Sequence, residues 1–442
     1  MSFLLKHWFN IGNIYQTVQP ACRSMKWFGF MPFTMVATGN DKNSGGTTPP
    51  TPVTLTVKRT DALLLLGWQI YILSMCNSDW ISALSNAPMS KIMIYFTILM
   101  YVIEAIFCST IQLRTALCRS KIDEVLRLVK FTDDMLAKLG IAVNHRRHHL
   151  GLVLLISATI VGAILVTVTE LTLSFSFHDR ISPIWKQLVS TGAMFYYHAL
   201  RTAQICPLAV FLGAMVAFRS RFRMLNESFR SYFDKNFGHF DDEEVQEHLK
   251  LIAIGHDVLT DAVDLFNDIF SIQMVFACFT YVEFSIFSMF SVGALFSGHS
   301  TDVLFLSLIY SIAFLFYSLY IIPIIKISAD VQNEGKRMAV LVHKAINQSP
   351  LSACSIKRLL LFSQQLQQQT PAVSSGMFSF DWTLCFSILS TVATYTMIMV
   401  QFELEVPKFF LNALVSSTME RDMGNVTLPM GVASNSNANL DV

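Results

Sequence analysis

The sequence predicts an all-α polytopic membrane protein with seven spanning helices, its amino terminus in the cytosol and its carboxyl terminus outside. Three observations predict it. The 442 residues are 53% hydrophobic and 14% charged, with mean hydropathy +0.48. A soluble domain carries about 25% charged residues, so this chain lacks the charge to coat a water-facing surface. Apolar stretches near the ~20 residues that cross a bilayer as a helix recur seven times. Lys and Arg segregate to alternate connecting segments, as they do when positive loops stay in the cytosol.

The spans read as 61–80, 91–113, 149–175, 188–217, 270–297, 303–326 and 378–402. Their apolar runs do not alternate with period two, so helices rather than barrel strands satisfy the backbone in lipid. Segment 1–60 and the loops 114–148, 218–269 and 326–377 together hold 26 of the 32 Lys and Arg residues. The remaining connections and the tail hold five, and Arg201 lies within a span. This orientation is the reverse of a G-protein-coupled receptor. With no apolar core followed by a small-residue cleavage site in residues 1–30, the first span is expected to act as the insertion signal.

Five regions follow. Residues 1–60 form a cytosolic segment: 13–33 read as an interfacial amphipathic helix, and 38–52 (TGNDKNSGGTTPPTP) as a linker. Residues 61–326 carry spans one to six, 327–377 a cytosolic anchor segment, 378–402 the seventh span, and 403–442 a disordered external tail. Spans five and six have no breaker separating them from periodic cytosolic sequence. Each is expected to continue as one helix out of the membrane. In 241–269 the apolar stripe is read as Val245, Leu249, Ile252, Ile254, Val258 and Val263, after an acidic start at Asp241–Glu244 that suits a helix amino terminus. Such a stripe needs a partner, either within the chain or in a neighbouring subunit, and periodicity leaves both open.

No catalytic constellation is present: neither HExxH, nor a P-loop, nor GxSxG, nor a dinucleotide fingerprint. An enzyme is therefore not expected, nor any cofactor or metal site. None of the eight cysteines forms a Cys-x-x-Cys pair. A net charge of +1 without a basic stripe argues against a nucleic-acid polymer as partner, and none is expected. His145, His148 and His149 in RRHHL read as a solvated basic loop end rather than a metal site. Of the three N-x-S/T sequons, only Asn425 falls outside the cell on this topology and is a glycosylation candidate.

Ionisable residues within spans are costly and default to functional candidates: Glu104, Glu170, Arg201 and Glu283. Each also reads as part of a buried structural pair. The outward halves of spans two to six are aromatic with polar tips, the composition of a small-ligand pocket. The candidates there are Tyr95, Tyr101, Glu170, Tyr197, His198, Arg201, Tyr281, Glu283, Tyr310, Phe314 and Tyr317; helix packing explains aromatic residues as well. The seventh span carries a stripe at four-and-three spacing, Ser387, Thr391, Thr394, Ile398 and Gln401. It either lines a water path shared by several subunits or glues helices of one subunit together. In the first case Ile398 and Phe402 would form an apolar constriction that gates by dewetting.

The stretch Thr394-Tyr395-Thr396-Met397-Ile398-Met399-Val400-Gln401-Phe402 resembles the Thr-Tyr, five apolar, Gln-Phe pattern that closes insect gustatory receptors. The stretches 13–33, 219–229, 341–347 and 378–384 resemble the gustatory receptor twenty-eight clade, with Gln19-Pro20 where Arg-Pro is usual. The resemblance implies a ligand-gated, non-selective cation channel, tetrameric as a homotetramer or with other gustatory receptors. It implies a location in the plasma membrane of sensory neurons, surrounded by lipid. It places the final helices around the pore, with Thr394, Ile398, Gln401 and Phe402 as pore residues, the pocket in the outward halves of spans two to six, and the subunit contacts in the cytosolic extensions. The implied ligands are ribonucleosides, bitter compounds or sugars. An odorant-receptor-like or a thermo- or photosensory channel subunit is the alternative, and a transporter a more distant one. A transporter predicts inverted repeats and broken midplane helices, and no repeat is visible.

Overall fold

The computed structural model describes residues 11–37, 53–74, 91–178, 193–235, 242–296, 301–348 and 351–401. The first helix among the described residues is α1 (Ile14–Trp27). Asn13 caps it: its Oδ1 accepts the Gln16 amide at 2.9 Å, and the Gln16 side chain accepts the Gly12 amide at 2.9 Å. This reciprocal pairing satisfies two amides that a helix start otherwise leaves open. The buried face of α1 carries Ile14, Tyr15, Ala21 and Met25 and packs mainly on α5.

Two short strands, β1 (Thr34–Ala37) and β2 (Val53–Thr56), pair antiparallel with Thr34 opposite Thr56. They flank the Gly/Pro/Ser/Thr stretch expected as a linker, and the sequence reading had no strands there. Helix α2 (Arg59–Ser74) follows. Its Asp61 is fully buried, accepts from Lys26 at 2.5 Å and Thr34 Oγ1 at 3.0 Å, and ties α1 and the hairpin to the first span.

The long helices are α3 (Lys91–Leu117), α4 (Arg119–Lys138), α5 (His145–His178), α6 (Ala193–Lys235), α7 (Asp242–Phe296) and α8 (Thr301–Gln348). α9 (Ala353–Gln368) and α10 (Trp382–Gln401) complete the bundle. Among the described residues α5, α6, α7, α8 and α10 are each long and apolar enough to cross a membrane. At 1.5 Å per residue, the 55 residues of α7 extend about 80 Å, far beyond a ~30 Å hydrocarbon core. The single helix expected through span five and its extension is therefore observed, and α8 does the same for span six.

The extensions pack within the chain. α7 lies against α8 and α4, and α9 docks on α8. The inward seam of α7 is Val245, Leu249, Ile252, His256, Leu259 and Val263, all buried. Ile254 and Val258 are only half-buried. The expected stripe shifted by one position mid-way because it followed apolar residues, whereas strict four-and-three spacing admits His256. Before α10, Gly376 (φ +79°) turns the chain so that Ser375 and Phe378 bond and Ser374 bridges Ser379. Asp381 then accepts the Thr383 and Leu384 amides at 2.9 and 3.3 Å and starts the helix at Trp382, not at the expected 378.

Candidate ligand seam and last helix

α10 presents three faces. Ile388 and Val392 are buried against their own chain. Phe386, Leu389 and Met397 are exposed apolar residues. Ser387, Thr391, Thr394, Ile398 and Gln401 fall in one stripe, about 120° around the helix from the buried face at 100° per residue. Three of the stripe's hydroxyls bond backward along the helix: Ser387 to Thr383 O at 2.9 Å, Thr391 to Ser387 O at 2.8 Å and Thr394 to Ser390 O at 2.9 Å. Their donors are spent, so they present oxygen lone pairs outward. Gln401 is exposed at the end of the stripe. An amide cannot satisfy itself this way and requires water or a neighbouring chain.

The expected pocket residues Tyr281, Tyr310, Phe314 and Tyr317 come together between α7 and α8, with Phe284 and Phe287. Tyr281 stacks on Phe314 (centroids 5.6 Å apart) and Phe287 on Tyr310 (5.0 Å), while Phe284 meets Tyr317 at 5.3 Å. Each pair lies in the 4.5–7 Å range of favourable ring contacts. The hydroxyls are anchored: Tyr317 donates to Gln204 Oε1 at 3.1 Å, and Ser318 donates to Tyr281 Oη at 3.3 Å. Gln204 in turn donates to Cys108 Sγ at 3.4 Å, which joins α6 and α3 to the seam. Beneath Tyr317 lies a cavity of about 20 Å³, bounded by Cys108, Gln204, Gln273 and Thr280, the volume of a water site. Gln204, Cys108, Gln273 and Thr280 were missed in the sequence because each is an ordinary polar residue in an apolar run.

Glu283 sits half-buried on α7, and Glu104 is buried on α3. Tyr95, Tyr101, Glu170, Tyr197, His198 and Arg201 lie on α3, α5 and α6, and their side chains are outside the described residues. Phe402 and Asn425 also lie outside them. The carboxyl-terminal end of α10 touches the seam: Met399 and Val400, like Tyr310, pack against Phe287 and Phe290.

The histidines of RRHHL are not a solvated loop end. His149 is buried with Nδ1 3.3 Å from Thr17 O, and His145 Nε2 lies 3.8 Å from Asp133. Asp133 belongs to a buried ion pair that sequence reading missed. It accepts from Arg221 Nε at 2.7 Å and a terminal guanidinium nitrogen at 2.9 Å, joining α4 to α6. Among the described residues no three His, Cys, Asp or Glu side chains group as a metal site.

Residues 18–406 match the family model of the 7tm chemosensory receptors. The fold is similar to the insect olfactory receptor OR5 from Machilis hrabei, solved alone and in complex with eugenol. Each comparison gives a TM-score of 0.51 at 11% identity and covers 87% of this chain and 97% of that one. No curated protein sequence matches the chain. The family is one of receptors, not enzymes, and a match over most of the length places this multi-pass membrane protein in it. The chain belongs to the 7tm chemosensory receptor family.

Proposed function

We propose that the chain is a gustatory-type receptor subunit whose tetramer, homomeric or mixed, is a ligand-gated non-selective cation channel in the plasma membrane of sensory neurons. The observation that carries this is α10. It spends its hydroxyl donors internally and exposes an amide and lone pairs along one stripe, while Phe386, Leu389 and Met397 lie bare on another. A helix polar on one uncovered face in a membrane needs water there. Four such stripes around an axis supply a wet path, with Thr394 and Gln401 lining it and Ile398 and Phe402 as the apolar constriction. Exposed Val340, Leu360, Leu361 and Met377 on and beside α8 and α9 supply apolar surface for neighbours below the membrane.

A small tastant (a ribonucleoside, bitter compound or sugar) binds at the outer aromatic seam around Tyr281, Tyr310, Phe314 and Tyr317. It opens the channel by its greater affinity for the open form. The amino terminus is cytosolic. Patch-clamp recording of Gln401→Glu and Gln401→Ala channels tests the pore assignment. Permeability ratios or unitary conductance change while surface expression stays near that of the parent; unchanged permeation in both variants removes Gln401 from the pore.

A further inference from the structure

Where α5 and α6 leave the basic end of the bundle, they and α1 and α4 line a partly open cavity of about 730 Å³. That lies within the size range of small-ligand sites, and it is far larger than the water-sized space beneath Tyr317. Its walls are graded. Val18 and Ala21 of α1, Leu126 and Val129 of α4, and Leu152 and Leu155 of α5 make an apolar interior. Asn144, Arg147 and His148 at the start of α5, with Arg219, Arg221 and Arg223 of α6, make one end cationic.

The charges at that end do not balance. Arg221 is bound by Asp133, Arg219 pairs with Asp330 at 3.2 Å, and Arg223 pairs with Glu227 at 2.7 Å. These three carboxylates are thereby matched. Among the described residues Arg147 forms no ion pair; only its backbone amide is engaged, by Asn144 Oδ1 at 3.0 Å. The start of α5 adds the positive end of its dipole to the same place. An apolar cavity with an exposed, unpaired guanidinium at its rim suits a ligand with a hydrocarbon tail and an anionic head.

We propose that this cavity binds an anionic amphiphile with one acyl chain, its tail lying between α1, α4 and α5 and its headgroup on Arg147 beside His148. The position at the membrane edge on the basic side lets the tail enter from the lipid, where anionic headgroups are concentrated. The site is separate from the outer aromatic seam, so its occupancy is measurable whether or not the pore assignment holds.

Gly151 provides a clean test. It lines the cavity, and a Cβ added there meets nothing within 4 Å. A Cβ is therefore accommodated at Gly151, a leucine there adds apolar bulk at the cavity wall, and replacing a helical glycine favours the helix. Thermal unfolding of the purified full chain in neutral detergent is followed against 1-oleoyl lysophosphatidate, oleate, 1-oleoyl lysophosphatidylcholine and glycerol 3-phosphate. The expected result is a saturable rise in midpoint with lysophosphatidate or oleate, at a concentration at least tenfold below that needed for lysophosphatidylcholine, and no rise with glycerol phosphate.

A response to lysophosphatidate alone assigns a phospholipid; a response to oleate as well assigns any acyl anion. Arg147→Ala weakens the response about tenfold, Gly151→Leu abolishes it, and Gly151→Ala retains it. The proposal is overturned if the zwitterionic and anionic lipids act equally, if glycerol phosphate alone reproduces the rise, or if Gly151→Leu responds like the parent.

Discussion

Replacing Arg221 by Met removes the cation from the best-defined buried pair in the bundle. Arg221 is 1% exposed and Asp133 9% exposed, so neither reaches bulk water. Three hydrogen bonds are lost: two to the Asp133 carboxylate and one, at 3.1 Å, from the guanidinium to Ala217 O. The dominant cost is the carboxylate left behind. Stranding one partner of a buried pair typically costs about 3–5 kcal/mol, whereas replacing both by apolar groups is often close to neutral. The double variant Asp133→Leu/Arg221→Met is therefore expected to recover most of the loss suffered by Arg221→Met alone.

With about 2.1 cal/mol/K of unfolding entropy per residue, a chain of this length converts that loss into a midpoint drop of about 3–5 °C. Thermal unfolding of the purified protein, monitored by fluorescence-detected size exclusion, reads it in a double-mutant cycle. A single variant within about 1 °C of the parent, or a double variant that falls by the sum of the two singles, refutes the claim that stranded charge is what the pair prevents.

Three further outcomes follow from the same structure. Gly335→Ala adds a Cβ 2.2 Å from Pro371 Cγ and 2.7 Å from its Cδ, a ring that cannot rotate away; it loses about 1–3 kcal/mol despite alanine's better helix propensity, read as a lower unfolding midpoint, and an unchanged or raised midpoint refutes it. His256, in the α7 extension beyond the membrane span, has its pKa lowered to about 4 by burial, with the Gly335 backbone partly opposing. Its folded form stays neutral while the unfolded imidazole protonates below about 6.5, so this group costs no stability above that pH and destabilises progressively as pH falls from about 6.5 to about 4. His256→Phe, which keeps the ring contacts with Phe222 and Phe362, is expected to flatten the unfolding midpoint across that window; an identical acid profile removes His256 as its cause. Epitope tags at the two termini of expressed receptor are expected to be accessible in intact cells only at the carboxyl end, and an accessible amino-terminal tag reverses the proposed topology.

The features legible in the sequence are those that repeat along one helix. The uninterrupted run from Asp242 to Phe296 and the polar stripe from Ser387 to Gln401 were readable because each residue's role depends on neighbours three or four places away. Asp133 and Arg221 were not: they lie 88 positions apart, and each reads alone as one more charge in a basic loop. Gln204 was hidden in the same way, since its partners Cys108 and Tyr317 come from two other helices. The hairpin was missed because four-residue strands give too short a period to register beside a Gly/Pro/Ser/Thr stretch. The stripe of α7 was misread at Ile254 and Val258 because hydrophobicity was followed where geometry required His256, a polar residue whose burial is visible only once α6 and α9 are in place.

The physical connection between the aromatic seam and the last helix bears on how binding would reach a pore. Phe287 stands at the junction: it stacks on Tyr310 and, with Phe290, packs against Met399 and Val400. Met399 and Val400 lie between Ile398 and Gln401 on the same turn of α10, so anything that displaces these aromatic rings acts directly on the turn carrying the stripe's outer end. At the inner end the same helix is fixed differently. Asp381 holds its first amides, and Phe380 packs against Phe211 of α6. Among the described residues α10 is thus held at its start by ring packing and by the turn that precedes it, and at the other end by apolar contacts. Apolar contacts carry no directional requirement and can re-form after a small shift, whereas the turn before α10 is tied to α7 by the Asn267 side-chain amide, which donates to Ala372 O at 2.6 Å. Motion of α10 is therefore expected to be a tilt about its capped start, largest at Ile398 and Gln401, where the seam touches it.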